Sequence, residues 1–388
     1  MRDKIKIFFA EKINVVKGVV TGSRPPLKSL RQERRVIFFL VFSLTLIGLL
    51  FVYESSSFYA LRYQGDPAYF FKKQFLFFII AFFLFYGALF INLDFLRQQS
   101  KKALFALIVV LAILPFFGQK SGGAKRWIEL GGFNVQPSEL LKIFFLIYCA
   151  DYCSRKKIFL KNLYYGFLPM GIILALICLL LLIQPDLGSA VFWISWFLLF
   201  VYFFGAKIKH LAVIMFGCLV SFFFLIGLYP YRMRRIVAYF NPFADAQGAG
   251  FQIIQSQIAY GRGGLFGVGL GQGSQKLFFL PAAHTDFIFS IIAEELGLIA
   301  TLGILSMFFV IIHKMFKISQ VIDDKFRKGI IFGSALIFFL EVFINIGVTC
   351  GLLPTKGMPL PLISYGGTNL VVHYLLLGLF FNASKKVS

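Results

Sequence analysis

The sequence predicts an all-α polytopic membrane protein with about ten transmembrane helices, both termini cytoplasmic, and a large extracytoplasmic loop between helices seven and eight. Three observations predict it. Of 388 residues, 59% are hydrophobic and 14% charged, with a mean hydropathy of +0.81. A water-soluble domain of that composition would expose more apolar surface than water tolerates. The apolar residues, 52 of them Phe, are gathered into long runs almost free of charge. The 39 Lys and Arg residues fall mostly between those runs: 26 lie in segments an N-in chain places inside and 12 in segments it places outside. The net charge of +22 is therefore a topology and lipid-contact signal; nucleic acid would call for a basic face on one domain.

Taken in order, residues 1–35 form a basic cytoplasmic tail in which Lys and Arg alternate with Ile, Phe and Val. It reads equally as an amphipathic segment on the anionic inner leaflet and as a topogenic tail. No A-x-A cleavage site follows the first apolar run, so that run is expected to remain as the first helix. The runs lie at 36–53, 75–91, 103–117, 140–153, 163–183, 188–204, 211–229, 287–312, 329–348 and 368–381. A span takes about 20 residues, so the third, fourth and tenth must borrow length from flanking polar residues. Three outer segments stand out, at 118–139, 230–286 and 349–367. The second is far longer than an ordinary connection, which argues for function. Cys149, Cys153, Cys178, Cys218 and Cys350 form no CxxC pair and read as small core residues. The chain shows no internal repeat and no soluble catalytic domain.

Ionisable side chains at membrane depth cost roughly 2.5–3.5 kcal/mol each, so they are candidates for function. Lys142 lies one turn into the fourth helix, with Glu139 three residues earlier on the same side. Glu294 and Glu295 lie in the eighth helix and Glu341 in the ninth; Lys142 can offset one of these acids across the bundle. Such a pair serves packing or a substrate cavity equally well. Asp286 precedes an apolar helix at the outer water boundary, where a carboxylate can cap the helix or accept a proton from a sugar hydroxyl. His284, two positions earlier, can touch the same ligand. The glycine-rich run 261–276, GRGGLFGVGLGQGSQK, matches neither nucleotide-binding fingerprint. It reads as a flexible loop or as one whose backbone amides approach a phosphate. Lys356 sits in a Pro-Thr-Lys-Gly turn, solvated or facing a ligand.

Five ordered motifs together resemble the SEDS family (shape, elongation, division and sporulation). They are KRWIELGGFNVQPSE at 125–139 followed by Lys142, QPDLGSA at 184–190, the glycine-rich run, HTDFIFSIIAEELG at 284–297, and LPTKGMPLPLISYGG at 353–367. The resemblance runs from the first helix to the C-terminus, making 36–388 a SEDS-type transmembrane domain; the PTKG form favours the division branch over the elongation branch. It implies a peptidoglycan glycosyltransferase that polymerises lipid II on the outer leaflet of the bacterial cytoplasmic membrane, at the division septum. Its implied partners are a class B penicillin-binding protein and other divisome membrane proteins, and its implied cofactor a divalent cation, Mg or Mn. Asp286 matches the family's catalytic aspartate. Arg126, Gln136, Glu139, Lys142 and Lys356 match positions lining or supporting the substrate cavity, with His284 and Ser364 as further binding candidates in the same motifs. Three positions depart from the pattern: Ala282 where relatives carry an acid, Thr368–Asn369 where they carry two serines, and Glu341 where they carry Gln. The missing acid at 282 removes a metal ligand. A lipid II flippase and a non-catalytic division scaffold are the competing readings. The one-sided clustering of distinctive residues, with no inverted repeat, weighs against transport.

Overall fold

The computed structural model describes residues 27–385 apart from 122–123, 132, 157–165, 167, 228–229 and 249; the tail expected at 1–26 lies outside the described residues. The first helix, α1 (Leu27–Gln64), starts before its apolar run and continues well past its end at 53. Ser55 and Ser56 donate to the carbonyls of Phe51 and Val52, which satisfies their hydroxyls within the helix. Next come α2 (Tyr69–Ala88) and α3 (Leu93–Phe117). Asn92 caps α3 by accepting from the Asp94 and Phe95 amides, so this helix begins ten residues before its apolar run.

The segment after α3 adds a small sheet to the otherwise helical fold. It folds as an antiparallel meander, β1 (Gln119–Ser121), β2 (Ala124–Leu130) and β3 (Phe133–Val135), closed by a turn at Gly131 with φ +58°. A 3₁₀ turn, Pro137–Leu140, leads into α4 (Leu141–Lys156). The chain continues through α5 (Leu168–Ile183), α6 (Leu187–Phe203) and α7 (Ile208–Gly227). The long segment after α7 holds α8 (Pro230–Phe240) and α9 (Phe251–Gly263). The last helices are α10 (Ile288–Val321), α11 (Lys325–Thr349) and α12 (Gly367–Ala383). Every apolar run overlaps a helix, although the run at 75–91 outlasts α2 by three residues, which form a turn. By length and composition α1, α2, α3, α10 and α11 suffice to cross a membrane, and α5, α6, α12 and the first part of α7 are shorter apolar helices. The fold is multi-pass and all-α outside the small sheet.

Helix α11 is the most buried of the long apolar helices and packs on α4, α6, α10 and α12. Small residues make the close approach possible, because lipid offers no hydrophobic drive to associate and packing must supply it. A Cβ on Gly333 would meet Leu146 of α4 at 2.2 Å, and the Gly333 carbonyl accepts from Trp196 of α6 at 3.0 Å. Helix α10 is broken at Gly297 (φ +76°, ψ −176°). The glycine-rich run fills the gap: Val268 and Gly269 donate to the carbonyls of Glu294 and Glu295, and Leu298 and Ile299 donate to those of Gly264 and Leu265. Of the cysteines, Cys149, Cys153 and Cys178 are buried as expected, Cys218 is half-buried, and Cys350 is exposed.

Candidate active site

Gln136 precedes the 3₁₀ turn and Pro137 opens it, which sets Glu139 beside the first turn of α4. Lys142 Nζ lies 2.5 Å from Glu139 Oε2 and forms an ion pair with Glu341 of α11. The other Glu341 oxygen is 2.5 Å from Nε2 of His373 on α12, whose Nδ1 is 2.8 Å from the Asn369 carbonyl. Asn369 Nδ2 then donates to Glu139 at 2.9 Å, closing a ring through three helices. Thr368 accepts from the Gln136 amide and donates to the Asn134 carbonyl, tying the sheet to α12. Of the acids open to Lys142, the structure thus selects Glu139 and Glu341. His373 went unremarked in the sequence, although Asn369 and His373, four apart in an apolar helix, necessarily share a face.

Glu294 and Glu295 do other work. Glu294 accepts from the Ser274 and Gln275 amides, and Glu295 from the Gly271 amide. Lys276 bridges Glu295 at 2.7 Å and Glu54 of α1 at 3.0 Å. This corrects the phosphate-loop expectation: the amides of Val268, Gly269, Gly271, Ser274 and Gln275 are already engaged within the protein.

Asp286 does not cap α10, another correction. Phe287 holds the N-cap position without a side-chain bond, because a turn at Ala282 (φ +58°) places Asp286 one residue too early. Among the described residues its half-buried carboxylate has no hydrogen bond or ion pair. It lies against Gly357, where a Cβ would sit 3.0 Å from Oδ2. Burial pushes its pKa up to about 7. Asn345 of α11 holds the two outer turns together, donating to the carbonyls of Asp286 (2.9 Å) and Met358 (2.7 Å). Ser364 does likewise, accepting from the Leu360 amide and donating to the Thr285 carbonyl, so its single donor is used within the protein. The His284 ring turns away into Phe70, Tyr59 and Tyr365, with centroids at 4.7, 5.8 and 5.8 Å, and burial lowers its pKa to about 4.

Lys356 immediately precedes Gly357 in the chain. Its stem packs on Gly188 of α6, where a Cβ would lie 2.2 Å from Cε, and Nζ sits 5.7 Å over the Phe192 ring. Nζ is buried without a hydrogen-bond partner. Burial lowers its pKa to about 7, against the opposing pull of Asp186 and Glu341. Asp186 caps α6 through the Ser189 amide at 3.0 Å. Arg126 of β2 donates to the carbonyls of Gln184 (2.7 Å) and Pro185 (2.5 Å), holding that turn under Lys356. Among the described residues no three His, Cys, Asp or Glu side chains converge.

The arrangement is thus a carboxylate without a hydrogen bond against Gly357 and a buried ammonium without one over Phe192, with an ion network buried among α4, α11 and α12. Residues 34–388 match the FtsW/RodA/SpoVE family, described as cell cycle proteins. A probable peptidoglycan glycosyltransferase FtsW of Geobacter metallireducens is 38% identical over 93% of this chain and 97% of its own length. The corresponding protein of an Escherichia coli O6:H1 strain is 40% identical over 92% of this chain and 87% of its own length. Among solved structures, a chain from a peptidoglycan synthase complex that coordinates polymerization and crosslinking superposes with a TM-score of 0.74 at 26% identity, covering 90% of this chain and 96% of that one. The rod shape determining protein RodA of Thermus thermophilus shares the fold, with a TM-score of 0.67 at 23% identity over 90% of this chain and 95% of that one. The chain belongs to the FtsW/RodA/SpoVE family.

Proposed function

We propose that this chain is a peptidoglycan glycosyltransferase of the bacterial cytoplasmic membrane that polymerises lipid II into glycan strands on the outer leaflet during septal cell-wall synthesis. The observation that carries the reading is the Asp286 carboxylate: unpartnered, half-buried, and poised near neutrality at about 7. A base is most effective when its pKa lies near the working pH. Asp286 takes the proton from the 4-hydroxyl of the acceptor GlcNAc as that oxygen bonds to the anomeric carbon of the donor MurNAc. The bond to undecaprenyl pyrophosphate breaks in the same displacement, so the α-linked donor gives a β-1,4 product. The Lys356 ammonium neutralises the departing pyrophosphate. Arg126 is already committed to the 184–185 carbonyls, so it acts by holding the turn beneath Lys356. Glu139, Lys142 and Glu341 form a fixed floor. A divalent cation held by one carboxylate such as Asp286 together with the pyrophosphate would help neutralise the leaving group.

A class B penicillin-binding protein is the proposed partner, and N-in, C-in is the proposed topology. The deciding experiment is polymerisation of purified lipid II by the chain reconstituted with its cognate class B penicillin-binding protein, beside Asp286→Ala. Strands from the wild type and none from the variant are expected. No strands from either, with the complex intact, would favour the flippase or the scaffold.

A further inference from the structure

Three buried polar residues lie four apart on α11, at Glu341, Asn345 and Thr349, and so share one face of the helix. The first and last are anchored. Glu341 joins the ring through Lys142 and His373. The Thr349 carbonyl accepts from the Ser256 hydroxyl of α9 at 2.6 Å, and the Thr349 hydroxyl lies 3.1 Å from that of Tyr260. Asn345, between them, is held from both sides on a rigid element. Its Nδ2 donates to carbonyls in two different turns, that of Asp286 at 2.9 Å and that of Met358 at 2.7 Å. The Met358 amide donates in turn to the Lys356 carbonyl at 2.9 Å. One side-chain amide thus grips the backbone of Asp286 directly and, through one further bond, that of Lys356. The two carbonyls also fix which way the amide faces, since its oxygen in that place would meet two oxygens. Oδ1 is buried and finds no hydrogen-bond partner. An apolar side chain would fill the position without stranding an acceptor, so the amide serves through its donors.

We propose that Asn345 is a positioning residue for the transfer reaction, setting the turn of Asp286 against the turn of Lys356 so that the carboxylate reaches the acceptor while the ammonium reaches the leaving group. Both of its amide hydrogens are engaged by the two carbonyls, so it acts through the turns and not on the substrate. The leverage is large, because misplacing a reacting group by about 1 Å can cost about 10²-fold in rate. The proposal rests on the glycosyltransferase reading for the reaction, but the clamp itself can be read without turnover.

The test uses two variants of the full chain. Asn345→Ala removes both donors, and Asn345→Asp keeps the size of the side chain while offering one donor at most. With the cognate class B penicillin-binding protein present, each is expected to lower kcat for lipid II polymerisation about 10- to 100-fold and to leave KM within about threefold. In an Asp286→Asn background the same substitutions should cost several-fold less, because part of their effect passes through a carboxylate no longer there. Amide hydrogen exchange of the chain in nanodiscs, read by mass spectrometry, should quicken together at 282–287 and 354–360. Unchanged exchange in either turn would overturn the clamp. Quickened exchange with full kcat, or losses that multiply in full with that of Asp286→Asn, would overturn the positioning role and leave Asn345 a residue of the fold. An inactive wild type whose two turns still loosen in the variants would sink the glycosyltransferase reading and leave the clamp standing.

Discussion

Gly357 leaves room for the Asp286 carboxylate, since a Cβ there would sit 3.0 Å from Oδ2. The base needs Asp286 ionised, which requires pH above about 7, and charge neutralisation needs Lys356 protonated, which requires pH below about 7. Activity is therefore expected to follow a narrow bell centred near 7, read as kcat/KM for lipid II against pH. Asp286→Asn should reduce polymerisation by at least about 10²-fold while the protein keeps its thermal midpoint. Gly188→Ala is the subtler test. Its methyl group would occupy the space of the Lys356 stem, so it should impair activity as Lys356→Ala does, although residue 188 carries no functional group. The residue types at Asp286, Lys142 and Lys356 were legible in the sequence because a charge beside an apolar run has few cheap explanations. His373 was not, since one imidazole in an apolar helix acquires meaning only when Glu341, from another helix, arrives at 2.5 Å. Ser364 and His284 looked like ligand contacts because motif membership does not say where a side chain turns.

Among the elements, the broken helix α10 is the most exacting. Gly297 takes a left-handed φ, and a Cβ there would lie 2.2 Å from the Gly267 amide nitrogen. Gly297→Ala should cost about 2 kcal/mol or more and expel the glycine-rich run from the gap, visible as a lowered thermal midpoint and faster proteolysis between 264 and 273. Lys142→Met would strand Glu139 and Glu341 without their cation, with an expected cost of about 3–5 kcal/mol measured by thermal unfolding in detergent. Apolar runs located the helices but not their ends. The serines after 53 can prolong a helix or leave one, and Glu54 meeting Lys276 is a contact no local pattern contains. The meander at 119–135 was missed because strands as short as β1 and β3 carry almost no periodicity.

For the whole molecule, hydropathy made the class of fold legible and left the arrangement of helices dark. Apolar side chains facing lipid and those facing another helix look alike in sequence; small residues such as Gly329 and Gly333 mark an interface without naming its partner. The proposed topology has a direct check. Cys350 is exposed in the outer segment after α11, whereas Cys149, Cys153 and Cys178 are buried. A membrane-impermeant maleimide added to intact spheroplasts should label Cys350 and spare those three; labelling only after lysis would reverse the orientation. The closed ring of Glu139, Lys142, Glu341, His373 and Asn369 also bears on how the molecule is made. Its bonded partners are separated by as many as 230 residues, so the ribosome delivers α4 to the bilayer long before its counter-charges exist. The early helices must wait, incompletely settled, for the C-terminal ones. A nascent chain halted before residue 341 should be a substrate for membrane quality-control proteases, and one extended past 373 should escape them, a difference that pulse-chase lifetimes of truncated chains would show.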